Sequence, residues 1–317
     1  MLFYLKTFHY FFYLFQNPWS VAIVVPKDIS NVDTKIHCSG SILSRKYVLT
    51  SAHCFFGFYS KESMVLIVGA SEPTNETALA IDKRRKLSQS KKIKSVVFHP
   101  LFNKDTIAAI YDIALIEIQG RFTFKRSVWP ICIPDEILPR KHHFGKGYTL
   151  VGFGLDISDD NPQCSDLECL KTDQLNVKTT EECGAIYGLI IDAPFHRDHD
   201  RVIEALPNNF EDDPLICAQV TGQSAASCEG DSGGILWTPV FNLGEGNTAV
   251  QQAVVRGSIR NCDGSTFPTI FNRLDNKEVL PWIKSTVFGK FLHTLHILIL
   301  VRFLTCGYRI SLILSKI

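Results

Sequence analysis

The chain has 317 residues, of which 45% are hydrophobic and 21% charged, with a formal net charge of +1 at pH 7 and ten cysteines. That length and balance suit a globular protein of one large all-β unit or two domains, and the near-neutral charge excludes broad nucleic-acid binding, which needs a basic face. The ten cysteines include no CxxC pair, so they argue against a zinc ribbon or thioredoxin-like site and for disulfides formed in an oxidising compartment.

The amino-terminal stretch MLFYLKTFHYFFYLF (1–15) is apolar and aromatic with Lys6 early, as in a secretory signal peptide, but no A-x-A-like cleavage site follows. From there the apolar runs are short and β-rich: SVAIVV (20–25), SILS (41–44), YVLT (47–50), VLIVG (65–69), IKSVVF (93–98), IALIEI (113–118), YTLVGFG (148–154) and AVVRGSI (253–259). Gly, Pro, Asn and Asp punctuate them, which predicts an all-β sandwich or barrel. Asn75-Glu76-Thr77 is an N-glycosylation acceptor pattern, in keeping with secretion. The basic stretch DKRRKLSQSKKIK (82–94) reads as a solvated loop, and 155–170 and 186–213 read as further long loops. HRDHD (196–200) has metal-ligand residue types, but a surface loop is the simpler reading, and no metal is expected. VFNLGEGNT (240–248) marks a hairpin end. The one helix expected in the core region is LDNKEVLPWIKSTV (274–287), with Asp275 as its cap, Trp282 and Ile283 docking, and Pro281 in its first turn or interrupting it. The tail 291–314 is long enough to span a bilayer, but Arg302 and Arg309 make it a poor spanning helix, so an extension rather than an anchor is expected. The chain thus divides into a signal-like or mis-assigned segment (1–16), a folded domain (17–287) and an apolar tail (288–317).

Chemistry concentrates in SCEGDSGG (227–234), where Ser232 stands among Gly230, Asp231, Gly233 and Gly234. Such a cluster is either a surface turn or a nucleophile held among bare backbone N–H groups. A serine hydroxyl needs a base, and the base needs an acid to fix its tautomer. His53 in TSAHC (50–54) and Asp112 in YDIALIEI (111–118) supply both residue types upstream. The pentad Gly230–Gly234 also satisfies G-x-S-x-G, the nucleophile elbow of α/β-hydrolases. That fold needs its acid and histidine after the serine, on alternating strands and helices, and the only histidines downstream are His293 and His296 in the tail.

The ordered set CSGSILSRKYVLTSAHC, DIAL, LVGFG, CEGDSGG and GSI…C…P…F resembles the chymotrypsin-like (trypsin family) serine proteases over roughly residues 17–287. The resemblance implies two six-stranded antiparallel β-barrels with a C-terminal helix and an active site between them. His53 and Asp112 would come from the first barrel and Ser232 from the second. It implies a secreted endopeptidase without cofactor, acting on protein or peptide substrates and subject to protein inhibitors and an activating protease. Ser232 would be nucleophile, His53 general base and acid, Asp112 its orienter, and Gly230 with Ser232 the oxyanion hole. A non-catalytic homologue that binds a partner is the rival.

Further roles follow from the same resemblance. Asp231 would pair with an α-ammonium group released by proteolytic activation, yet the chain has no Ile-Val-Gly-Gly-like start ahead of Pro18-Trp19. Asp231 is therefore expected to lack a partner, and the uncut chain to be zymogen-like. Cys38–Cys54, Cys183–Cys217 and Cys228–Cys262 would pair, and Cys164–Cys169 could close locally. Cys132 sits where a propeptide is often tethered, and neither it nor Cys306 has an evident partner. Tyr148 and Thr238 occupy the positions of another common bridge. In the specificity pocket Ala226 replaces an acidic base, Thr269 lies on a wall, Arg260 falls near the mouth, and Ser258 supports substrate and Asp112.

Overall fold

The computed structural model describes residues 16–26, 34–103, 110–154, 169–179, 181–183, 214–220, 227–242, 246–257 and 268–292. Twelve strands form two closed six-stranded antiparallel barrels. The first contains β1 (Ser20–Pro26), β2 (Thr34–Ile42), β3 (Tyr47–Thr50), β4 (Val65–Val68), β5 (Gln89–Phe98) and β6 (Ala114–Ile118). The second contains β7 (Gly147–Gly152), β8 (Lys171–Val177), β9 (Leu215–Val220), β10 (Ile235–Asn242), β11 (Gly246–Gly257) and β12 (Thr269–Arg273). Around the barrels the orders are β1-β2-β3-β6-β5-β4 and β7-β8-β9-β12-β11-β10, the same winding used twice.

The strand period of two explains why the barrels stick together. On β1, Val21, Ile23 and Val25 enter the interior cluster of the first barrel, with Ile42, Leu66, Ile116 and Phe122. The alternate residues Ala22 and Val24 join a cluster drawn from both barrels, with Leu49, Leu115, Val151, Ile235 and Val254. The second barrel repeats the device: Leu236, Ala253, Val255 and Phe271 fill its interior. Strands apolar on both faces therefore bury one face inside a barrel and the other where the barrels meet. Burial at about 25 cal/mol per Å² makes such apolar surface the main source of cohesion.

Helix α1 (Glu76–Arg84) corrects the reading of the basic stretch as a loop. Residues 82–84 end this helix and 89–94 lie in β5. The Asn75 side chain accepts a hydrogen bond from the Ala78 amide at 3.0 Å and so caps the helix, while Lys83 and Arg84 sit in its last turn, where the dipole favours cations. On β5 the exposed Lys92 and Lys94 flank buried Ile93, an amphipathic strand whose alternation is masked by the density of lysines. Asn75→Ala is expected to cost about 1 kcal/mol of stability, read as a lower denaturation midpoint at unchanged slope.

Burial pushes the Asp82 carboxyl up to about 6, opposed by the Arg85 charge and reinforced by Glu72. A raised carboxylate holds its proton more tightly folded than unfolded, so its favourable contribution is complete below about pH 4 and is lost as pH rises through about 6. Asp82→Asn is accordingly expected to raise the melting temperature at pH 7 and leave it nearly unchanged at pH 3.5. Equal shifts at both pH values would contradict this assignment.

Helix α2 (Val279–Leu292) begins later and ends later than expected, with Pro281 in its first turn. Its amino-terminal cap is Asn276, whose Oδ1 accepts from the Glu278 amide at 2.8 Å and whose carbonyl accepts from Leu280 at 3.0 Å. Asp275 is committed elsewhere: its carboxylate bonds His143 Nε2 at 2.9 Å in a fully buried pair. Ile283 is fully buried in the shared cluster and Trp282 packs against it. The hairpin end expected near 240–248 falls between β10 and β11, which pair from Ile235↔Val254 to Asn242↔Gly246.

Candidate active site

The site is built where the two barrels face each other. His53 sits in a one-turn 3-10 helix (Ala52–Phe55) directly after β3, so the strand end fixes its position. Cys38 on β2 and Cys54 are disulfide-bonded, with Cα atoms 6.3 Å apart, and this staples the turn to its barrel. Asp112 lies just ahead of β6, which pairs with β3, so both residues emerge from neighbouring strands. Tyr111, immediately before Asp112, has φ +59, an uncommon value for a non-glycine residue, and its ring stacks on His99 at 4.8 Å. This held turn aims Asp112 inward.

Asp112 is 1% exposed and bonds His53 twice. Its Oδ1 accepts from the His53 backbone amide at 2.8 Å, and its Oδ2 lies 2.6 Å from Nδ1. A carboxylate oxygen only accepts, so Nδ1 is the donor in this contact, and in the neutral imidazole Nε2 is the acceptor. The His53 side chain is 41% exposed, which leaves that edge reachable. Across the seam, the Asn272 amide on β12 donates to the Asp112 carbonyl at 3.4 Å.

Ser232 stands in a turn of the second barrel that is fastened to the first. Its carbonyl accepts from the Ser39 amide at 2.7 Å, and the Ser39 hydroxyl donates to the Gly230 carbonyl at 2.8 Å. A side chain on Gly233 would run into Thr50 and the Ser39 carbonyl, and φ +82 there adds strain for any residue but glycine. Ser51, two residues before His53, donates its hydroxyl to the Val255 carbonyl at 2.7 Å. The serine turn and the histidine turn are thus locked together through backbone. The Ser232 hydroxyl forms no hydrogen bond among the described residues; such bonds often tighten only when substrate arrives.

The amides around Ser232 divide into two groups. Those of Asp231, Gly233 and Gly234 donate to the carbonyls of Cys228, Val255 and Asp231 at 3.0, 2.8 and 2.7 Å. Those of Gly230 and Ser232 have no acceptor among the described residues, and Gly230 adopts φ +98. Two unspent donors flanking a hydroxyl can stabilise negative charge developing on a bound carbonyl oxygen.

Asp231 turns inward and is 3% exposed. Its carboxylate accepts from the Gly154 amide at 2.7 Å and the Cys228 amide at 2.9 Å, over Gly152 and Gly154, where any Cβ would collide with it. The expectation that it lacks a partner is corrected: Lys171 Nζ lies 3.9 Å from Oδ2. Thr269 is fully buried on β12 and its hydroxyl lies 2.9 Å from that of Ser227, beside the expected pocket base. Ala226, Ser258 and Arg260 lie outside the described residues.

Cys183–Cys217 is bonded, tying the segment after β8 to β9. Cys132, Cys169 and Cys228 are also disulfide-bonded; Cys164, Cys262 and Cys306 lie outside the described residues. Cys38, His53 and Cys54 bring potential ligand atoms within 4.8 Å, but both sulfurs are consumed in the disulfide. Asn75 donates Nδ2 to Glu72 at 2.8 Å. No helix among the described residues is long and apolar enough to cross a membrane.

Sequence reasoning does not reach Ser39, Asn272 or Lys171. The first carries a signal in retrospect: Ser39-Gly40-Ser41 places two hydroxyls in the fully buried end of β2, and buried hydroxyls need partners.

Paired six-stranded barrels with a histidine–carboxylate pair and a glycine-bound serine turn at their junction define the chymotrypsin-like architecture. The chain belongs to the trypsin family, whose family model, described as Trypsin, matches residues 13–283. It is similar to Ovochymase-2 of Mus musculus, at 27% identity over 84% of this chain and 38% of that protein. It is also similar to Phenoloxidase-activating factor 3 of Holotrichia diomphalia (29% identity, 79% of this chain, 64% of that protein) and to Serine protease filzig of Drosophila melanogaster (26%, 84% and 14%). The chain spans less than two thirds of the length of each of these relatives.

Proposed function

We propose that the chain is a secreted serine endopeptidase that cleaves peptide bonds through an acyl-enzyme. The observation that carries this reading is the pair of hydrogen bonds between buried Asp112 and His53, of which the one at Nδ1 favours the tautomer that a general base requires. Ser232 Oγ attacks the substrate carbonyl carbon while its proton passes to His53 Nε2. The oxyanion is held by the Gly230 and Ser232 amides. His53 then gives the proton to the leaving amine as the C–N bond breaks, and water releases the acyl group by the same route. Protein inhibitors and an activating protease are the partners in this reading, Asn75 carries the sugar of a secreted chain, and Ser258 supports the substrate backbone.

The test is a fluorophosphonate probe followed by peptide mapping. An adduct on the peptide containing Ser232, together with hydrolysis of a casein substrate, is the expected result. Binding homologues that do not turn over would give neither.

Specificity follows from the pocket residues. Ala226 offers no anion, and burying an unpaired Lys or Arg cation costs kilocalories per mole. Thr269 adds bulk, which penalises large aromatic side chains. In a peptide library varied at the residue before the scissile bond, small apolar residues are expected to lead, with acidic ones second through Arg260. Dominance of Lys or Arg would overturn the assignment.

A further inference from the structure

Seven basic residues and one acid fall in the thirteen positions 82–94, in a chain whose net charge is only +1. Folding does not disperse them. Segments 86–92 and 119–127 run side by side and are fastened along their length. The Gln119 amide donates to the Lys92 carbonyl at 2.9 Å, and Gln89 exchanges two hydrogen bonds with the Thr123 backbone at 2.8 and 2.9 Å. The Ser127 hydroxyl donates to the Leu87 carbonyl at 2.8 Å, and the Lys125 ammonium donates to the Lys86 carbonyl. Arg121 therefore lies between the Lys92 and Gln89 contacts, and Lys125 lies at the end of α1, whose last turn carries Lys83 and Arg84. Lys83, Arg84, Lys86, Lys92 and Arg121 are exposed, and Lys125 is half-buried. Neither 83–92 nor 119–127 contains an acid. Asp82 is buried, and Glu117 is taken by Lys94 at 2.9 Å. None of the six cations forms an ion pair among the described residues. Like charges gathered in this way repel one another, a cost that an anionic partner would remove.

The cations are laid out along two strips rather than around one point. A small anion would meet one or two of them, whereas a linear polyanion would meet them all. Between them stand Ser90, Gly120 and Thr123, and none of the large apolar side chains exposed among the described residues lies on either segment. Protein partners are anchored chiefly by aromatic and apolar groups at the centre of a contact, and this face exposes none. A sulfated sugar chain needs none. We propose that the last turn of α1 and the strips 86–92 and 119–125 form a binding face for a linear sulfated polysaccharide. The proposal is independent of the endopeptidase reading, because none of these residues enters the chemistry of His53, Asp112 and Ser232.

The test is binding of the full chain to heparin, measured across a range of salt. Wild-type affinity is expected to fall about 100-fold between about 50 and about 200 mM NaCl, the loss that counterion release from about four neutralised charges implies. A triple variant, Lys86→Gln with Lys92→Gln and Arg121→Gln, is expected to bind at least about 10-fold more weakly at the lower salt, its salt slope reduced by about one for each charge removed. A control variant, Lys61→Gln with Lys146→Gln and Lys178→Gln, removes as much charge elsewhere and is expected to bind as wild type does. A measurement on wild type alone guards against a variant that folds poorly: heparin is expected to shield Lys83, Lys86, Lys92 and Lys125 from acetylation, read by peptide mapping. No binding at the lower salt, equal losses in the two variants, or acetylation unchanged by heparin would overturn the proposal. Tighter binding to an aspartate-rich peptide, to anionic lipid vesicles or to desulfated heparin would overturn it too, by assigning the face to another partner. Failure of Ser232 to label with a fluorophosphonate would bring down the endopeptidase reading and leave this proposal standing.

Discussion

Ser232→Ala is expected to lower kcat by about 10⁴- to 10⁶-fold while the protein melts within about 1–2 °C of wild type. The size of the loss follows from concerted action: without the hydroxyl, His53 has no proton to accept and the acyl-enzyme cannot form. What survives is the contribution of the unspent Gly230 and Ser232 amides and of substrate binding, which need no nucleophile. Stability is spared because Ser232 is anchored by its carbonyl to the Ser39 amide, a bond that alanine keeps. Asp112→Asn tests the other end of the same relay and should cost about 10⁴-fold, since an amide facing Nδ1 invites the wrong tautomer. Stopped assays under single-turnover conditions, with active sites counted by phosphonate titration, measure both. Hydrolysis unchanged in pure Ser232→Ala protein would place the nucleophile elsewhere.

The largest stability effect is expected far from that chemistry. Asp275→Ala should destabilise the protein by about 3–5 kcal/mol, the usual cost of stripping one partner from a buried ionic pair. Its carboxylate bonds His143 Nε2 at 2.9 Å, and Arg273 Nε approaches at 3.8 Å, with all three side chains essentially buried. His143 Nδ1 lies 2.9 Å from the Tyr148 hydroxyl, and burial pushes that phenol above its ordinary range, with Asp275 adding to the effect. Removing the carboxylate would take from the buried His143 imidazole its Nε2 partner and from Arg273 a nearby anion. Chemical denaturation of Asp275→Ala beside His143→Ala checks this, and a loss below about 1 kcal/mol in both would mean that water reaches the cluster.

Much of this arrangement can be read from the chain alone, for identifiable reasons. YVLT is β3 to the residue, because a short β-branched run bounded by polar neighbours has few other fates. His53, Asp112 and Ser232 stand out because each sits at the edge of such a run. β8 is harder: KTDQLNV carries only Leu175 and Val177 toward the barrel interior, so its alternation is nearly all polar. α1 hides because nine residues with few large apolar groups offer little helical period, and the Asn75 cap lies inside a glycosylation pattern that suggests a different use. Lys171 could not have been paired with Asp231 from sequence, since their contact depends on β8 being the neighbour of β7, a fact of topology. Asp275 is expected as a cap from sequence for the converse reason: a local role is available, but a distant histidine takes its carboxylate instead.

One consequence of the seam follows from Ser39. Although Ser232 belongs by chain order to the second barrel, its peptide carbonyl is tied to Ser39 in the first, and Gly233 is wedged against Thr50. Sliding one barrel against the other would therefore deform the serine turn before any strand in either barrel had to break. Under the proposed function, the nucleophile is therefore held by both halves at once and registers their alignment.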